Sequence, residues 1–390
     1  GISPHWPWPG EVSDAWGAWP SGLGGLAAGD CAWRRWRKAN SATASMSSSA
    51  MALAPRHAAW ARAARNQTRS ARKPSTPAAK QRSVICARAW SSRAILSSRA
   101  RARVQRSRKA FDLQMQSIKV KPTPVKQVED LRLPLQSGTV FARHYHSAPN
   151  KKLPMIVFYH GGGFVVGNID THDEVCRLLA VHAKAQVLSI DYPLAPEAGP
   201  KQVIQCCEDA LAWVYQNSRQ LKILKGRIAV AGDSAGGNIA AVVAQRTAQK
   251  AYAPQAQLLL YPVVDFKSRH PSFFAYKDGL VLTAADIDCV TDYYAEQHQV
   301  ALDDPLISPT YGKFEKLAPA YIITAGHDVL HDEAEIYSHK LRQHGIKVHY
   351  QEYADQTHGF INLTPVSFRA KKYVIEISKN FRKFWDKKGS

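Results

Sequence analysis

Two glycine-rich motifs contain the residue types that acyl transfer needs. The first is His160-Gly-Gly-Gly-Phe164, and the second is Gly232-Asp-Ser-Ala-Gly-Gly237. A Gly-x-Ser-x-Gly run between a strand and a helix places its serine on a sharp turn and exposes the hydroxyl. The backbone N–H groups of an earlier His-Gly-Gly-Gly loop can hold an oxyanion. Together the motifs predict Ser234 as a nucleophile beside an oxyanion-binding loop.

The sequence around Ser234 agrees with such a turn. Residues 227–233 form a short apolar run of strand type, and residues 235–245 continue as a helix of small residues. Gly232 and Gly236 flank the serine because a strained turn brings the strand and the helix too close for larger side chains.

A serine hydroxyl is a weak nucleophile and needs a general base, for which the last part of the chain offers four histidines. His339 and His344 lie in a predicted helix, and His349 lies in a predicted strand of alternating pattern. His358 alone follows a strand and lies in a loop beside a glycine. His358 is therefore the predicted base.

The base needs a carboxylate to orient it, and two aspartates are candidates. Asp328 follows the buried-strand run 321–326, at the carboxyl end of a strand, where chemistry gathers in open α/β sheets. Asp355 is the alternative because it lies three residues before His358. We expect Asp332 and Glu333 to cap the following helix, where the helix dipole favours acidic side chains.

Strands and helices alternate along the second part of the chain, which predicts a mostly parallel sheet with right-handed crossovers. Eight strands are predicted, at 128–135, 139–146, 155–159, 185–191, 227–232, 255–261, 320–325 and 347–353. Six helices are predicted, at 171–183, 201–217, 235–250, 283–296, 332–344 and 369–387. Residues 265–304 interrupt the alternation and are rich in aromatic residues, so they are expected to form a cap insertion. Plain core packing would explain those aromatic residues equally well.

The motifs together resemble a known family. With residues 191–197 (Asp-Tyr-Pro-Leu-Ala-Pro-Glu), 328–333 and 358–360 added, the chain resembles the bacterial hormone-sensitive-lipase family of carboxylesterases over residues 128–385. The resemblance implies an α/β-hydrolase fold, a mostly parallel eight-stranded sheet flanked by helices, with a helical cap. It also implies a serine esterase that hydrolyses short- to medium-chain acyl esters, with no cofactor and no metal.

The resemblance gives each site residue a role. It implies a catalytic triad of Ser234, Asp328 and His358. It implies an oxyanion hole from the N–H groups of Gly162, Gly163 and Ala235. It implies structural support of the loop and the turn by His160, Gly161, Gly232 and Gly236.

Two departures from the family pattern concern residues near the site. The family usually has an arginine where Pro193 stands and an aromatic-proline pair near residues 199–200. Loss of the arginine is expected to remove a structural ion pair and to leave the three catalytic candidates untouched. Glu197 and Asp233 are expected to be structural rather than catalytic.

Residues 1–110 differ in composition from the rest of the chain. They contain 20 of the 52 Lys and Arg residues but three of the 31 acidic residues, a net charge of +17 against +4 for residues 111–390. Eight of the ten tryptophans lie before Ser91, and Arg, Ala and Ser dominate residues 51–109 without a clear period. We predict a basic, low-complexity segment at 1–110, disordered or non-native, and a catalytic domain at 111–390.

Four interpretations of the basic segment compete. A nucleic-acid-binding arm fits the charge, and an organelle transit peptide fits the Arg- and Ser-rich composition but not Glu11 and Asp14. A secretory signal is disfavoured because the uncharged run 15–29 is glycine-rich and follows no basic residue. A vector-derived or frame-shifted translation agrees best with clustered Trp and Arg and almost no acids.

Without that segment the charge is nearly balanced, so no nucleic-acid partner is expected for the catalytic domain. Cysteines without metal-ligand or disulfide spacing indicate a reducing compartment, the cytoplasm, and no apolar run is long enough to span a membrane. A small ester is the expected partner, and a homodimer stays open. An amidase or peptidase with the same triad, or a non-catalytic ligand-binding receptor on the same fold, remains an alternative.

Overall fold

Eight strands form one sheet within residues 98–386, which are the residues that the computed structural model describes. The strands are β1 Gln127–Leu135, β2 Gly138–His146, β3 Leu153–Tyr159, β4 Gln186–Asp191, β5 Ile223–Asp233, β6 Gln257–Leu260, β7 Ala320–His327 and β8 Val348–Thr357. Their order is β1-β2-β4-β3-β5-β6-β7-β8. Strand β2 pairs antiparallel with both of its neighbours, β1 and β4, and the remaining neighbours pair in parallel. The predicted mostly parallel eight-stranded sheet is confirmed.

Eight α-helices flank or precede these strands in the described part of the chain. They are α1 Ser98–Ser117, α2 Asp173–His182, α3 Pro200–Gln216, α4 Ala235–Thr247, α5 Pro271–Ala275, α6 Ala284–Tyr294, α7 His331–Gln343 and α8 Phe368–Asp386. The six predicted helices are present with small shifts at their ends. The additional helices are the short α5 and, at the front, α1.

The core lies on both faces of the sheet because alternate side chains of each strand point to opposite sides. In β3, Met155, Val157 and Tyr159 pack on one face, and Ile156 and Phe158 pack on the other. Helices α3, α4 and α7 cover the first face, and α2 and α8 cover the second. The buried strands therefore read as continuous apolar runs, as expected for a parallel sheet covered on both sides.

Helix α1 runs across residue 110, where the sequence analysis placed a domain boundary. The helix begins at Ser98, and Val104 is 2% exposed within the main core. Arginine and alanine are strong helix formers, so this basic stretch can form a helix although its apolar period is weak. Residues 98–110 therefore form part of a helix that packs on the core through Val104. The rest of the basic segment, residues 1–97, lies outside the described residues.

Arg108 fixes α1 to two loops at the edge of the sheet. Its guanidinium donates to the backbone oxygens of Val165 and Ala195, at 2.8 and 2.9 Å, and to both carboxylate oxygens of Glu197, at 3.0 and 2.6 Å. Val104 and Arg108 are four residues apart, so they share one face of the helix. Although Pro193 stands where the family has arginine, Glu197 thus has an arginine partner.

Replacing Arg108 by methionine is expected to lower the free energy of unfolding by about 1–3 kcal/mol, because two backbone oxygens and a carboxylate lose a charged donor. Urea unfolding followed by circular dichroism measures the change. Arg106→Met is the matched control, since Arg106 lies exposed on the same helix. Equal stability of the two variants would contradict the anchoring role of Arg108.

The aromatic insertion at 265–304 lies against the loop that follows β3. The ring of Phe164 stacks on that of Tyr294 with 3.8 Å between centroids, and Phe266 lies 6.1 Å from Phe164. Phe266 and Tyr294 are buried core residues, whereas Phe274 is exposed. Core packing therefore explains part of the aromatic content, and α5 and α6 are the helices of this insertion.

Two further observations concern the described part of the chain. Its cysteines, Cys176, Cys206, Cys207 and Cys289, are free thiols, and all but Cys289 are buried. Across residues 98–386, helices with the length and apolar character needed to cross a bilayer are absent.

Candidate active site

Ser234 lies between β5 and α4 in a backbone conformation that few side chains adopt. Its φ is +53° and its ψ is −117°, in the left-handed half of the Ramachandran plot. A side chain at Gly232 would overlap the carbonyl of Gly236, and a side chain at Gly236 would overlap the carbonyl oxygen of Tyr159. The two glycines therefore allow α4 to start directly against β3 and β5, and this turn presents the serine at the strand ends.

Ser234, Asp328 and His358 meet at one edge of the sheet. Each follows the last residue of a parallel strand, β5, β7 or β8, and the carboxyl ends of parallel strands share an edge. His358 Nε2 lies 2.8 Å from Ser234 Oγ, and His358 Nδ1 lies 2.7 Å from Asp328 Oδ2. All three residues are buried, Asp328 almost completely.

The Asp328 carboxylate determines which atoms of His358 and Ser234 donate and which accept hydrogen bonds. An ionised carboxylate only accepts hydrogen bonds, so the Nδ1 of His358 carries the proton and Nε2 is free to accept the hydroxyl hydrogen of Ser234. Asp328 Oδ1 is held in turn by the backbone N–H of Leu330, at 3.0 Å. The ring of Tyr261 lies 4.8 Å from that of His358 and covers one side of it.

The alternative acid, Asp355, points elsewhere. Its Oδ2 accepts from Arg369 at 2.7 Å and from the hydroxyl of Tyr373 at 3.1 Å, both on α8. The other candidate bases are engaged away from Ser234: His339 lies 3.8 Å from Glu335, His344 bonds to the carbonyl of Lys340, and His349 stacks on Tyr321. The structure therefore brings Asp328 and His358, and not these residues, to the serine.

The loop that follows β3 brings Gly162 and Gly163 to the same edge. Gly162 has φ +121° and its carbonyl accepts the N–H groups of Val165 and Val166, at 3.1 and 2.9 Å. Gly163 has φ +59°, and a side chain there would press on Val290 of α6. Ala235 is the first residue of α4, where a backbone N–H has no partner within the helix.

His160 is buried behind this loop. Its Nδ1 lies 2.8 Å from the carbonyl oxygen of Gly161, and its ring stacks on Tyr192 with 4.3 Å between centroids. Burial is the main cause that lowers the pKa of His160 to about 3, and the nearby His172 contributes in the same direction. A neutral imidazole that donates to the loop backbone is a support rather than a proton carrier at neutral pH.

Asp233, next to the serine, contacts the loop in a way that the sequence did not reveal. Its Oδ1 accepts the N–H of Gly161 at 2.8 Å and lies 3.3 Å from His172 Nε2. A side chain at Gly161 would overlap Asp233 Oδ2. Gly161 is thus required by the close approach of this carboxylate.

Glu333 is a buried carboxyl group near Asp328. Its Oε1 accepts from the backbone N–H groups of Val264 and Asp265, at 2.8 and 3.3 Å. Burial is the main cause that raises the pKa of Glu333 to about 8, and the nearby carboxylates of Asp265 and Asp328 also raise it. Glu333 lies in the first turn of α7, but it does not cap the helix as predicted: α7 has no side-chain cap, and the carboxyl group bonds instead to the start of the aromatic insertion.

Glu333 makes stability depend on pH. The folded protein holds this proton more tightly than the unfolded chain, whose pKa is near 4.5, so the stabilisation present below that pH is lost as the pH rises towards 8. Glu333→Gln keeps an acceptor for the two N–H groups and removes the titration. We expect the stability of this variant relative to the parent to be higher at alkaline than at acidic pH. Urea unfolding of both proteins, at a pH below 4.5 and at a pH above 8, measures this difference in stability.

The control for that experiment is Glu315→Gln, at an exposed position. Its effect on the free energy of unfolding should be the same at both pH values. A pH-independent effect of Glu333→Gln would contradict the raised pKa of the buried carboxyl group.

One group of possible metal ligands occurs among residues 98–386. His331, Asp332 and Glu335 have ligand atoms within 4.8 Å of one another at the start of α7. Two of these side chains already bond to each other or to the backbone: His331 Nδ1 lies 2.9 Å from Asp332 Oδ1, and Asp332 Oδ2 accepts the N–H of Ser272 at 2.8 Å. These hydrogen bonds explain why the three side chains lie close together at the start of α7.

Comparisons with known proteins concern the fold and the family of the chain. Residues 156–362, more than half of the chain, match a family model described as the alpha/beta hydrolase fold. The chain is 42% identical over 243 residues to the carboxylic ester hydrolase LipN of Mycobacterium tuberculosis, covering 60% of this chain and 65% of LipN. It is 38% identical over 250 residues to the esterase LipI of the same organism, covering 62% of this chain and 78% of LipI.

A solved structure is similar as well. The hyperthermophilic esterase from the archaeon Pyrobaculum calidifontis superposes with a TM-score of 0.69 at 36% identity, covering 72% of this chain and 93% of that chain. The chain spans slightly less than two thirds of the length of LipN and more of the archaeal esterase.

Proposed function

Because the chain belongs to the α/β-hydrolase family and resembles its hormone-sensitive-lipase branch, we propose that it is a serine carboxylesterase acting on short- to medium-chain acyl esters. The observation that carries the proposal is the unbroken set of contacts from Asp328 to His358 to Ser234, at 2.7 and 2.8 Å. The esterase names of the relatives support the same reaction class.

The proposed reaction has two steps that use one base. Ser234 Oγ attacks the ester carbonyl carbon while His358 Nε2 takes the hydroxyl proton, and the proton then passes to the departing alcohol. Water attacks the acyl-enzyme, again giving its proton to Nε2, and the acid product leaves. Asp328 holds the Nδ1–H tautomer and stabilises the imidazolium that forms in both steps.

The N–H groups of Gly162, Gly163 and Ala235 stabilise the negative charge that develops on the carbonyl oxygen. Donors fixed in advance in a site sheltered from water act most strongly on charge that appears in the transition state, each being worth about 3–4 kcal/mol. The positive φ values of both glycines and the position of Ala235 at the start of α4 support this role.

The insertion at 265–304 supports a limit on acyl length. Val290 lies against Gly163, and Tyr294 stacks on Phe164 in the same loop, so side chains of α6 crowd the space beside the oxyanion donors. A long acyl chain would have to displace these side chains. We therefore assign the insertion to a cap over the site.

Turnover of p-nitrophenyl esters from acetate to palmitate tests the proposal, with the anilides of the same acids measured in parallel. The expected result is a kcat/KM that is highest between acetate and octanoate and falls for longer acids. Preferred cleavage of the anilides would favour an amidase or peptidase. Binding of both series without turnover would favour a ligand-binding receptor.

Other predictions concern the cell and the assembly. A cytoplasmic location and a homodimer stay predictions, and a small ester remains the proposed partner. Fractionation of the source cells tests the location, and sedimentation velocity of the purified protein tests the homodimer.

A further inference from the structure

The side chain of His172 is fully buried behind the candidate site, just before α2. Its Nε2 lies 3.3 Å from Asp233 Oδ1 and 3.2 Å from the amide nitrogen of Asn362, and its Nδ1 lies 2.9 Å from the hydroxyl of Thr171. The mechanism proposed above does not use this imidazole. A buried ring with polar contacts at both nitrogens costs free energy to desolvate unless those contacts are made.

Each contact of His172 leads to a different segment of the site. Asp233 directly precedes Ser234, and the same Oδ1 accepts the N–H of Gly161, which begins the oxyanion loop. Asn362 lies in the short 3₁₀ turn Phe360–Leu363, which begins two residues after His358. One imidazole therefore contacts the residue before the nucleophile and the turn after the base, and reaches the oxyanion loop through a shared carboxylate oxygen.

The proton on His172 follows from its neighbours. The Asp233 carboxylate only accepts hydrogen bonds, so Nε2 must carry a proton to bond with it. The Asn362 amide can be turned over, which places its Oδ1 rather than its nitrogen beside His172 Nε2. Oδ1 then accepts from the protonated Nε2, whereas in the other orientation it has no partner among the described residues. In this state Asp233 Oδ1 has two donors, Gly161 N–H and His172 Nε2–H.

We propose that His172 is a positioning residue for the esterase reaction. By donating to Asp233 it fixes the carboxylate that holds Gly161, and so sets the distance between the oxyanion donors and Ser234 Oγ. The proposal rests on the proposed function for its kinetic effect, but the contact that it describes can be measured without turnover.

The kinetic test compares His172→Leu with His172→Gln, in which the amide nitrogen of Gln takes the place of Nε2 as a donor. We expect His172→Leu to lower kcat for p-nitrophenyl butyrate about 10–100-fold, because displaced donors lose transition-state stabilisation. KM should change less than about threefold, and His172→Gln should recover most of kcat. Rates are divided by the active-site concentration from a nitrophenolate burst, so that misfolded protein does not count.

A double-mutant cycle with Asp233→Asn separates this role from a general loss of stability. If His172 acts through Asp233, the double variant His172→Leu/Asp233→Asn loses little more kcat than the more damaged single variant. The proposal would be overturned if His172→Leu and His172→Gln lost equal kcat in proportion to their loss of thermal stability. Additive losses of kcat in the double-mutant cycle would also overturn it.

The second readout is amide hydrogen exchange of residues 160–167. We expect faster exchange there in His172→Leu than in the parent, with helix α8 unchanged. His339→Leu is the matched control, because His339 lies exposed beside Glu335, and it should alter neither kcat nor exchange. If the parent protein hydrolyses no ester, the proposed function fails, and amide hydrogen exchange of the loop alone tests whether His172 positions it. Unchanged exchange of the loop in His172→Leu would overturn the positioning role.

Discussion

Replacing Ser234 by alanine is expected to lower kcat/KM for p-nitrophenyl esters by roughly 10⁴–10⁶-fold, and replacing His358 by alanine should have an effect of the same size. The two losses are similar because the hydroxyl and the imidazole act as one unit, with His358 Nε2 placed 2.8 Å from Ser234 Oγ. The double variant should lose hardly more than either single variant. Steady-state hydrolysis, with the parent protein measured at the same concentration, gives the ratios.

The control for Ser234→Ala is Ser338→Ala. Ser338 is also buried, but its hydroxyl bonds to the carbonyl of Glu335 on α7. Its replacement should leave kcat/KM close to that of the parent, and circular dichroism should give the same spectrum for both variants. Substantial ester turnover by Ser234→Ala with an intact fold would remove Ser234 from the proposed mechanism.

The sheet could be predicted from the sequence because its signal is local. Each parallel strand is a short apolar run, such as residues 153–159, and the helices between strands have a period of their own. The site follows from the sheet: Ser234, Asp328 and His358 each come directly after a strand, and parallel strands end at a common edge. The local strand pattern was therefore enough to predict that these three residues, distant in sequence, lie close together.

Helix α1 could not be recognised in the same way. Its contact with the core depends on one buried valine, Val104, within a run dominated by arginine, and on the reach of Arg108 to Glu197. Average composition hides such a helix, because its stability comes from contacts with distant residues rather than from an apolar period. The composition boundary and the structural boundary thus differ.

The contacts of Asp233 and His172 also lay beyond the sequence. The signal was present as Thr171-His172-Asp173 after a glycine-rich loop, and as a second acidic residue beside Ser234. Neither motif states that the two side chains meet, because their approach depends on how α2 packs behind the oxyanion loop. Only the packed fold brings Asp233 Oδ1 within reach of His172 Nε2.

The two candidate acids show why nearness in sequence misleads. Asp355 is three residues from His358, but it belongs to β8, where an extended chain advances by about 3.3 Å per residue. Its carboxylate is therefore carried away from the imidazole and bonds to α8. Asp328 is distant in sequence, but it follows the neighbouring strand β7 and ends beside His358.

Asp328→Asn should accordingly lower kcat for ester hydrolysis by roughly 10⁴-fold. The N–H of Leu330 donates to Asp328 Oδ1, so the oxygen of an asparagine would occupy that position and its NH₂ group would face His358 Nδ1. An NH₂ donor there favours a lone pair on Nδ1 and a proton on Nε2. Nε2 could then no longer accept the proton of Ser234. Steady-state hydrolysis at several pH values measures the loss.

Asp355→Asn provides the matched comparison, since it makes the same chemical change on a carboxylate whose partners are Arg369 and Tyr373. Arg369 is largely exposed, so the loss of this ion pair should alter stability slightly and kcat by less than about threefold. The reverse ranking of the two variants would assign the acid to Asp355. It would also mean that the imidazole turns away from Asp328 during turnover, because the resting contact at 2.7 Å leaves no room for a second carboxylate on Nδ1.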